Sequence, residues 1–183
     1  MRYLMGTTTY GIVFAPGDGV WRLHGSADAD LGGDLSTAKS TSGSVTQLGE
    51  YGNISCRSHL EKKNSTSTLQ AETYSYVDLC KEIAWDRDLM HELGFPQEGA
   101  TEARCDNSGV IIQSTKQVNH GVAKHFRLSQ GYVRYMCGED VVDPTDVDSE
   151  DNESDMLTKP LPKPSFVKHR LTIMGPQERP SSQ

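Results

Sequence analysis

The sequence predicts an α/β fold with a mixed sheet. Three short segments with strand-like patterns come first, and a long amphipathic helix follows them. A fourth strand-like segment and further helical segments come after that helix. Hairpin-connected strands followed by helical crossovers are typical of a sheet that contains both antiparallel and parallel pairs.

The first strand is predicted at residues 21–27, where apolar and polar residues alternate. It is expected to end in a loop at residues 28–33, which contain Asp28, Asp30 and two glycines. Residues 44–48 and 52–57 have the spacing of a hairpin. Residues 2–20 are rich in turn formers and are predicted to be a hairpin or a connector that leads into the domain.

The clearest predicted helix begins after Ser67. Ser67 and Gln70 have the spacing of a capping box, and Gly94 followed by Pro96 is a stop signal. Apolar residues at helical spacing predict the buried face, namely Tyr76, Leu79, Cys80 and Ile83.

The second half of the chain is predicted to be mostly helical. Residues 103–105 form a short strand, and Asn107 or Ser108 can cap the helix that follows. Residues 120–136 suit another helix and residues 156–160 a short last one, whereas the acidic run from Asp140 to Asp155 is interpreted as a solvated loop. The polar tail, residues 175–183, is predicted to be disordered.

Composition narrows the function classes. The chain has 183 residues, 35% of them hydrophobic, and a net charge of −7 from 25 acidic and 18 basic side chains. This charge argues against a simple nucleic-acid binder, but not against a nuclease that binds cations through carboxylates. Its four widely spaced cysteines predict free thiols in a reducing compartment. No apolar run approaches the ~20 residues that span a bilayer, so no membrane association is expected.

Four acidic residues stand where predicted strands and helices begin or end: Asp28, Glu72, Asp106 and Asp155. If the chain brings them together, their oxygen atoms suit magnesium or manganese better than zinc. Two such ions roughly 3.5–4 Å apart can support phosphodiester cleavage. The alternative is that these residues are ordinary helix caps and solvated charges, and local spacing does not decide between the two.

Five short blocks follow one another along nearly the whole chain, roughly residues 2–174. In chain order they are Arg2–Thr7, Asp28–Asp34 with Lys39-Ser40-Thr41-Ser42-Gly43, Ala71-Glu72 with Lys81–Trp85, Cys105-Asp106-Asn107 with Lys124-His125, and Asp155-Met156-Leu157-Thr158-Lys159-Pro160-Leu161-Pro162. Together they resemble the ribonuclease H domain of copia-type retrotransposon Pol polyproteins, and the strings Lys39–Gly43 and Asp155–Pro162 are the most specific. The residues up to 20 resemble the connector from reverse transcriptase, and residues 21–174 resemble the ribonuclease H domain.

The resemblance implies a ribonuclease H-like fold, with a mixed five-stranded sheet flanked by helices, and a two-metal nuclease for RNA–DNA hybrids. By that resemblance, Asp28 bridges two Mg²⁺ ions (Mn²⁺ can substitute), Glu72 and Asp106 hold the ion near the leaving group, and Asp155 helps to bind the ion that activates water. Water attacks the phosphorus and leaves a 5′-phosphate and a 3′-hydroxyl.

The resemblance also implies which residues contact the substrate. Backbone amides and small side chains near Ala29 and Asn107 are expected to read the 2′-hydroxyls that distinguish RNA from DNA. Lys62 and Lys63 are interpreted as contacts to hybrid phosphates, with a solvated pair of loop charges as the alternative. The expected partners are the hybrid and the reverse transcriptase domain of the same polyprotein, in cytoplasmic virus-like particles or in the nucleus.

The sequence departs from the family pattern at several positions. Leu31 replaces an aromatic residue, Gln70 replaces an acidic one, and Ser108 stands where glutamine is usual. Residues 138–154 also contain no histidine, whereas cellular ribonucleases H carry one on the loop before the last aspartate. These departures favour reduced turnover and keep open a second hypothesis, a co-opted, catalytically weak or inactive structural or interaction subunit.

Overall fold

The computed structural model describes residues 2–62, 64–116 and 124–177. A five-stranded sheet of order β3-β2-β1-β4-β5 forms its centre. The first three strands pair antiparallel, whereas β1 with β4 and β4 with β5 pair parallel, so the predicted mixed sheet is confirmed. The strands are β1 (Leu23–Asp34), β2 (Lys39–Leu48), β3 (Asn53–Leu60), β4 (Thr101–Cys105) and β5 (Val142–Asp146).

Six α-helices accompany the sheet in the described part of the chain. They are α1 (Arg2–Gly6), α2 (Thr68–Glu92), α3 (Ser108–Thr115), α4 (Lys124–Gly138), α5 (Asp155–Thr158) and α6 (Lys163–Met174). None of them combines the length and the apolar character that crossing a bilayer would need. Helix α4 was predicted to start at residue 120, and residues 120–123 lie outside the described part.

Helix α2 begins and packs largely as predicted. Ser67 Oγ accepts a hydrogen bond from the Gln70 backbone N–H at 3.2 Å, although the Gln70 side chain accepts from Thr66 rather than Ser67. The predicted apolar face is buried, and the Tyr76 hydroxyl donates to the Ala103 carbonyl of β4 at 2.9 Å. This packing holds the first turns of α2 over the middle of the sheet.

The predicted loop at residues 28–33 is wrong. Strand β1 continues to Asp34 and pairs with β2, which begins at Lys39 rather than at residue 44. On the opposite side, β4 ends at Cys105, which pairs with Ala27. Beyond Ala27, β1 therefore pairs with β2 only. On its other side, where β4 has ended, there is room beside Asp28, and β1 itself continues.

The interpretation of the acidic run as a solvated loop is also wrong. Strand β5 lies within it, a 3-10 turn at Ser149–Asp151 follows, and the next three residues, Asn152 to Ser154, are buried. Asp155 then begins α5, which is not the last helix because α6 follows. Hydrophobic patterning missed these elements because polar contacts, rather than apolar side chains, bury the segment.

Both ends of the described chain pack on α6. The Tyr3 ring contacts the Phe166 ring with centroids 5.5 Å apart, and the Val13 N–H donates to the Met174 carbonyl at 2.8 Å. The Gln177 side chain donates to the Gly11 carbonyl at 2.9 Å. Tyr3 and Val13 therefore contact α6, whereas Ala15 pairs with Tyr51, and residues 2–20 do not form a hairpin of their own. Of the tail predicted to be disordered, residues 178–183 lie outside the described part of the chain.

Candidate active site

Four carboxylates from four elements meet beside the central strand β1, near the point where β4 ends. Asp28 lies in β1, Glu72 lies one turn into α2, Asp106 follows β4, and Asp155 begins α5. One oxygen each from Asp28, Asp106 and Asp155 lie within 4.8 Å of one another, and the ligand atoms of Glu72, Cys105 and Asp106 form a second such group. Asp106 belongs to both groups, so the structure brings all four predicted site residues together.

A glycine lets α5 approach the sheet closely enough to bring in Asp155. Gly43 pairs with Asp28 across the β1–β2 ladder. A Cβ atom at this position would lie 2.7 Å from Thr158 Cγ2 and 2.9 Å from Leu157 Cβ, closer than side chains tolerate. The last residue of the Lys39–Gly43 string therefore has a structural reason to be glycine.

Buried polar contacts anchor the segment in front of Asp155. Asn152 Nδ2 donates to the Ala27 carbonyl at 3.0 Å, one residue before Asp28. Glu153, 1% exposed, accepts from Arg104 Nη2 at 2.8 Å, and Arg104 also lies 2.6 Å from His24 Nδ1. Sequence reasoning missed these residues because their partners lie at least 49 positions away and no local pattern marks them.

Glu72 is held in an environment that opposes its charge. It is 4% exposed, and its Oε2 atom is buried without a hydrogen-bond partner. Burial, followed by the charges of Asp28 and Asp106, raises the pKa of Glu72 to about 9. At neutral pH this carboxyl is therefore protonated unless a cation neutralises the cluster.

The environment of Asp28 also opposes the charge of its carboxylate, but less strongly. Burial, assisted by the charge of Asp155, raises the pKa of Asp28 to about 6, although a hydrogen bond donated by the Thr158 hydroxyl opposes the shift. Burial also raises the pKa of the Cys105 thiol well above its usual range. The thiol therefore stays protonated and is a poor cation ligand, which leaves an all-oxygen donor set.

The donor set fits a hard divalent cation. Buried polar atoms normally have partners, so the partnerless Glu72 Oε2 beside three other carboxylates points to a missing positive group. Oxygen-only coordination suits Mg²⁺ or Mn²⁺. Within the described ranges, the basic side chain that pairs with these carboxylates is Lys159, whose Nζ lies 2.8 Å from Asp155 Oδ1 and 3.9 Å from Asp28 Oδ2.

The residues predicted to contact substrate differ in burial and in their place in the fold. Ala29 is buried in β1 beside Asp28, and Asn107 caps α3 by accepting from the Gly109 N–H at 3.0 Å. Lys62 is exposed on the rim of a groove of about 620 Å³ between β3, α2 and α4. Lys63 lies outside the described residues. Sequence reasoning missed Ser149, whose hydroxyl donates to Asp106 Oδ2 at 2.6 Å.

Comparison with known proteins places the chain among transposon polyproteins. No protein-family model matches it. The retrovirus-related Pol polyprotein from transposon TNT 1-94 of Nicotiana tabacum is 31% identical over 166 residues, and that from transposon RE2 of Arabidopsis thaliana is 32% identical over 166 residues. Each match covers 91% of this chain, which spans only 12% and 11% of the respective polyproteins.

Solved structures with the same architecture are ribonucleases H. RNase H1 from the archaeon Halobacterium salinarum NRC-1 matches with a TM-score of 0.53 and 19% identity over 75% of this chain and 94% of that one. LC11-RNase H1, solved in complex with an RNA/DNA hybrid, matches with a TM-score of 0.54 and 14% identity over the same two fractions. The chain is thus similar to a segment of the Pol polyproteins of plant copia-type transposons, and it has the ribonuclease H fold.

Proposed function

We propose that this chain is a divalent-cation-dependent endonuclease that hydrolyses the RNA strand of RNA–DNA hybrids during retrotransposon reverse transcription. The observation that carries the proposal is the convergence of Asp28, Glu72, Asp106 and Asp155 around a buried Glu72 oxygen that has no partner. A purely structural role gives no reason to gather four carboxylates, two of them with raised pKa values.

In this proposal the four carboxylates hold the catalytic cations. Glu72 and Asp106 would hold one ion, Asp155 would help to hold the other, and Asp28 would serve as a ligand for both. When bound, the two Mg²⁺ ions activate the attacking water and stabilise the leaving oxygen. The Ser149 hydroxyl fixes one oxygen of Asp106, and the Asn152 and Glu153 contacts hold Asp155 beside Asp28.

One reason to propose the hybrid as substrate is that basic side chains line the groove between β3, α2 and α4, although Glu61 and Asp78 line it as well. Lys62 lies there, and the other basic residues that line the groove are Arg57, His59, Lys81 and His125. LC11-RNase H1 was solved with an RNA/DNA hybrid, which supports the same substrate for this chain. Asn107 contributes through its amide NH₂ group, because its carbonyl oxygen already caps α3.

The wider setting of the proposal comes from the relatives. Because they are Pol polyproteins, the reverse transcriptase of the same polyprotein is the proposed partner. The reverse transcriptase would supply much of the affinity for the hybrid, since the chain itself has a net charge of −7 and the hybrid is also negatively charged. The proposed location is the cytoplasm, in virus-like particles, or the nucleus.

Cleavage of a labelled hybrid in Mg²⁺ tests the proposal. Asp106→Asn removes a ligand shared by both groups of carboxylates, so cleavage should fall at least 100-fold. Asp88→Asn is the matched control, because Asp88 is exposed on α2 away from the cluster. Equal cleavage by the wild type and Asp106→Asn would refute the assigned chemistry.

The second candidate function is a catalytically inactive structural or interaction subunit. The observation that favours it is Lys159, whose ammonium already lies among the carboxylates and partly neutralises them. A protein that has lost its metal chemistry could keep the cluster folded in this way.

A Mg²⁺ titration of the folded chain separates the two candidates. If Mg²⁺ binds with a dissociation constant of about 1 mM, 10 mM Mg²⁺ stabilises the fold by about 1.4 kcal/mol, which for a chain of this size raises Tm by about 3–6 °C. No Mg²⁺-dependent rise, or an equal rise in Asp106→Asn, would favour the inactive subunit.

A further inference from the structure

Lys159 follows directly after α5, and its ammonium group lies against two carboxylates of the cluster. Its Nζ is 2.8 Å from Asp155 Oδ1 and 3.9 Å from Asp28 Oδ2, while its side chain is 39% exposed. Asp155 Oδ1 is buried, and its contact with the Lys159 ammonium is an ion pair. A positive charge therefore lies on this side of the cluster in the metal-free protein.

The two groups of carboxylates differ in whether a positive charge lies beside them. The group of Asp28, Asp106 and Asp155 has the Lys159 ammonium beside it. The group of Glu72 and Asp106 contains instead the buried Glu72 oxygen that has no partner. A cation that enters the Glu72 side displaces only the carboxyl proton of Glu72, whereas one that enters the Asp155 side must replace an ammonium.

We propose that Lys159 is a tethered counter-ion that occupies the cation position between Asp28 and Asp155 and leaves it when a second divalent ion binds. This inference rests on the proposed function, since it needs the cluster to bind cations. A divalent ion outcompetes a single ammonium because it carries twice the charge and contacts several oxygens at once. The part-exposed lysine side chain allows the ammonium to move into water without unfolding α5.

The proposal makes cation binding sequential. The first ion binds on the Glu72 side, and the second binds more weakly because it must displace Lys159. Loss of the ammonium should therefore strengthen the second binding event and leave the first nearly unchanged. It should also destabilise the metal-free protein, because Asp28 and Asp155 lose their counter-ion.

The test is calorimetric titration of the whole chain with Mn²⁺, using Lys159→Met, which keeps most of the length of the side chain and removes its charge. The wild type should show two unequal binding events. In Lys159→Met the second should tighten at least tenfold, with the first changed by less than twofold. Lys159→Arg should retain the difference between the two events, and so should Lys168→Met, which removes an exposed charge that pairs with Asp151.

A measurement on the wild type keeps the proposal testable if Lys159→Met does not fold. The Lys159 Cε resonance should shift with the second equivalent of Mg²⁺ and not with the first. A second Mn²⁺ affinity that is unchanged in Lys159→Met, or a Cε shift at the first equivalent, overturns the proposal and leaves the nuclease assignment standing. Failure of the wild type to bind Mn²⁺, or binding that Asp106→Asn does not weaken, refutes the proposed function itself.

Discussion

Glu72→Gln should make the metal-free protein more stable at neutral pH, although it removes a proposed metal ligand. The pKa of Glu72 is about 9 in the folded chain and about 4.5 when unfolded. Between these two values the folded protein keeps a proton that the unfolded chain releases, so folding becomes less favourable as the pH rises. Glutamine resembles the protonated carboxyl and does not titrate, so at this position it adds no pH dependence to the stability.

The magnitude follows from the difference between the working pH and the unfolded pKa. At pH 7 the difference of about 2.5 pH units corresponds to about 3 kcal/mol, since each unit is worth about 1.4 kcal/mol. Glu72→Gln should therefore gain about 3 kcal/mol over the wild type at pH 7. Near pH 4 both forms carry a neutral side chain, and the gain should approach zero.

Urea unfolding in EDTA at several pH values between 4 and 8 measures this difference. Glu98→Gln is the control, because Glu98 is exposed and the same chemical change there should have little effect. Adding 10 mM Mg²⁺ should narrow the difference in stability by up to about 1.4 kcal/mol, since the wild type binds the ion better. A variant no more stable than the wild type at pH 7 in EDTA, or a gain that does not grow with pH, would refute the reasoning.

Three further perturbations test other parts of the structure. Burial raises the pKa of Asp86 to about 6, so this residue should contribute about 3 kcal/mol to the fall in wild-type stability as the pH rises from 4 to above 6. Asp86→Asn should remove that contribution in urea unfolding and leave the contributions of Glu72 and Asp28; an unchanged pH profile would contradict the assignment. Glu153→Gln should cost about 3 kcal/mol of unfolding free energy, because it leaves the Arg104 charge without its buried partner, and a loss under 1 kcal/mol would show that the pair is not buried in solution. Gly43→Ala should push α5 away from the sheet and weaken Mn²⁺ binding at least tenfold in calorimetry, whereas unchanged affinity would mean that α5 adjusts without moving Asp155.

The first four strands and helices α2 to α5 could be predicted in order because they leave local signals, whereas β5 and α6 were missed. The face of α2 repeats every three to four residues, and its cap stands three residues before Gln70. The Asp155–Pro162 string fixes which acid of a long acidic run belongs to the cluster. Resemblance, rather than spacing, assigned Asp28, Glu72 and Asp106, since their separations obey no local rule.

Two features of the site could not be predicted in this way. Charge and glycine content at residues 28–33 indicated a loop, yet pairing with β2 continues the strand through them. The acidity of residues 140–155 indicated solvent exposure, yet Arg104 and the Ala27 carbonyl bury Glu153 and Asn152. In both places a partner distant in sequence outweighs the local preference.

The sequence by itself determined the class of fold, the helix that carries Glu72 and the identity of the four carboxylates, because periodicity, caps and motifs are properties of neighbouring residues. Only the tertiary structure decided that these carboxylates lie within a few ångströms of one another, that Glu72 is buried against its charge, and that Lys159 reaches Asp155 and Asp28. The physical reason is that distances, burial and the resulting pKa values depend on which distant segments pack together, and composition does not contain that information.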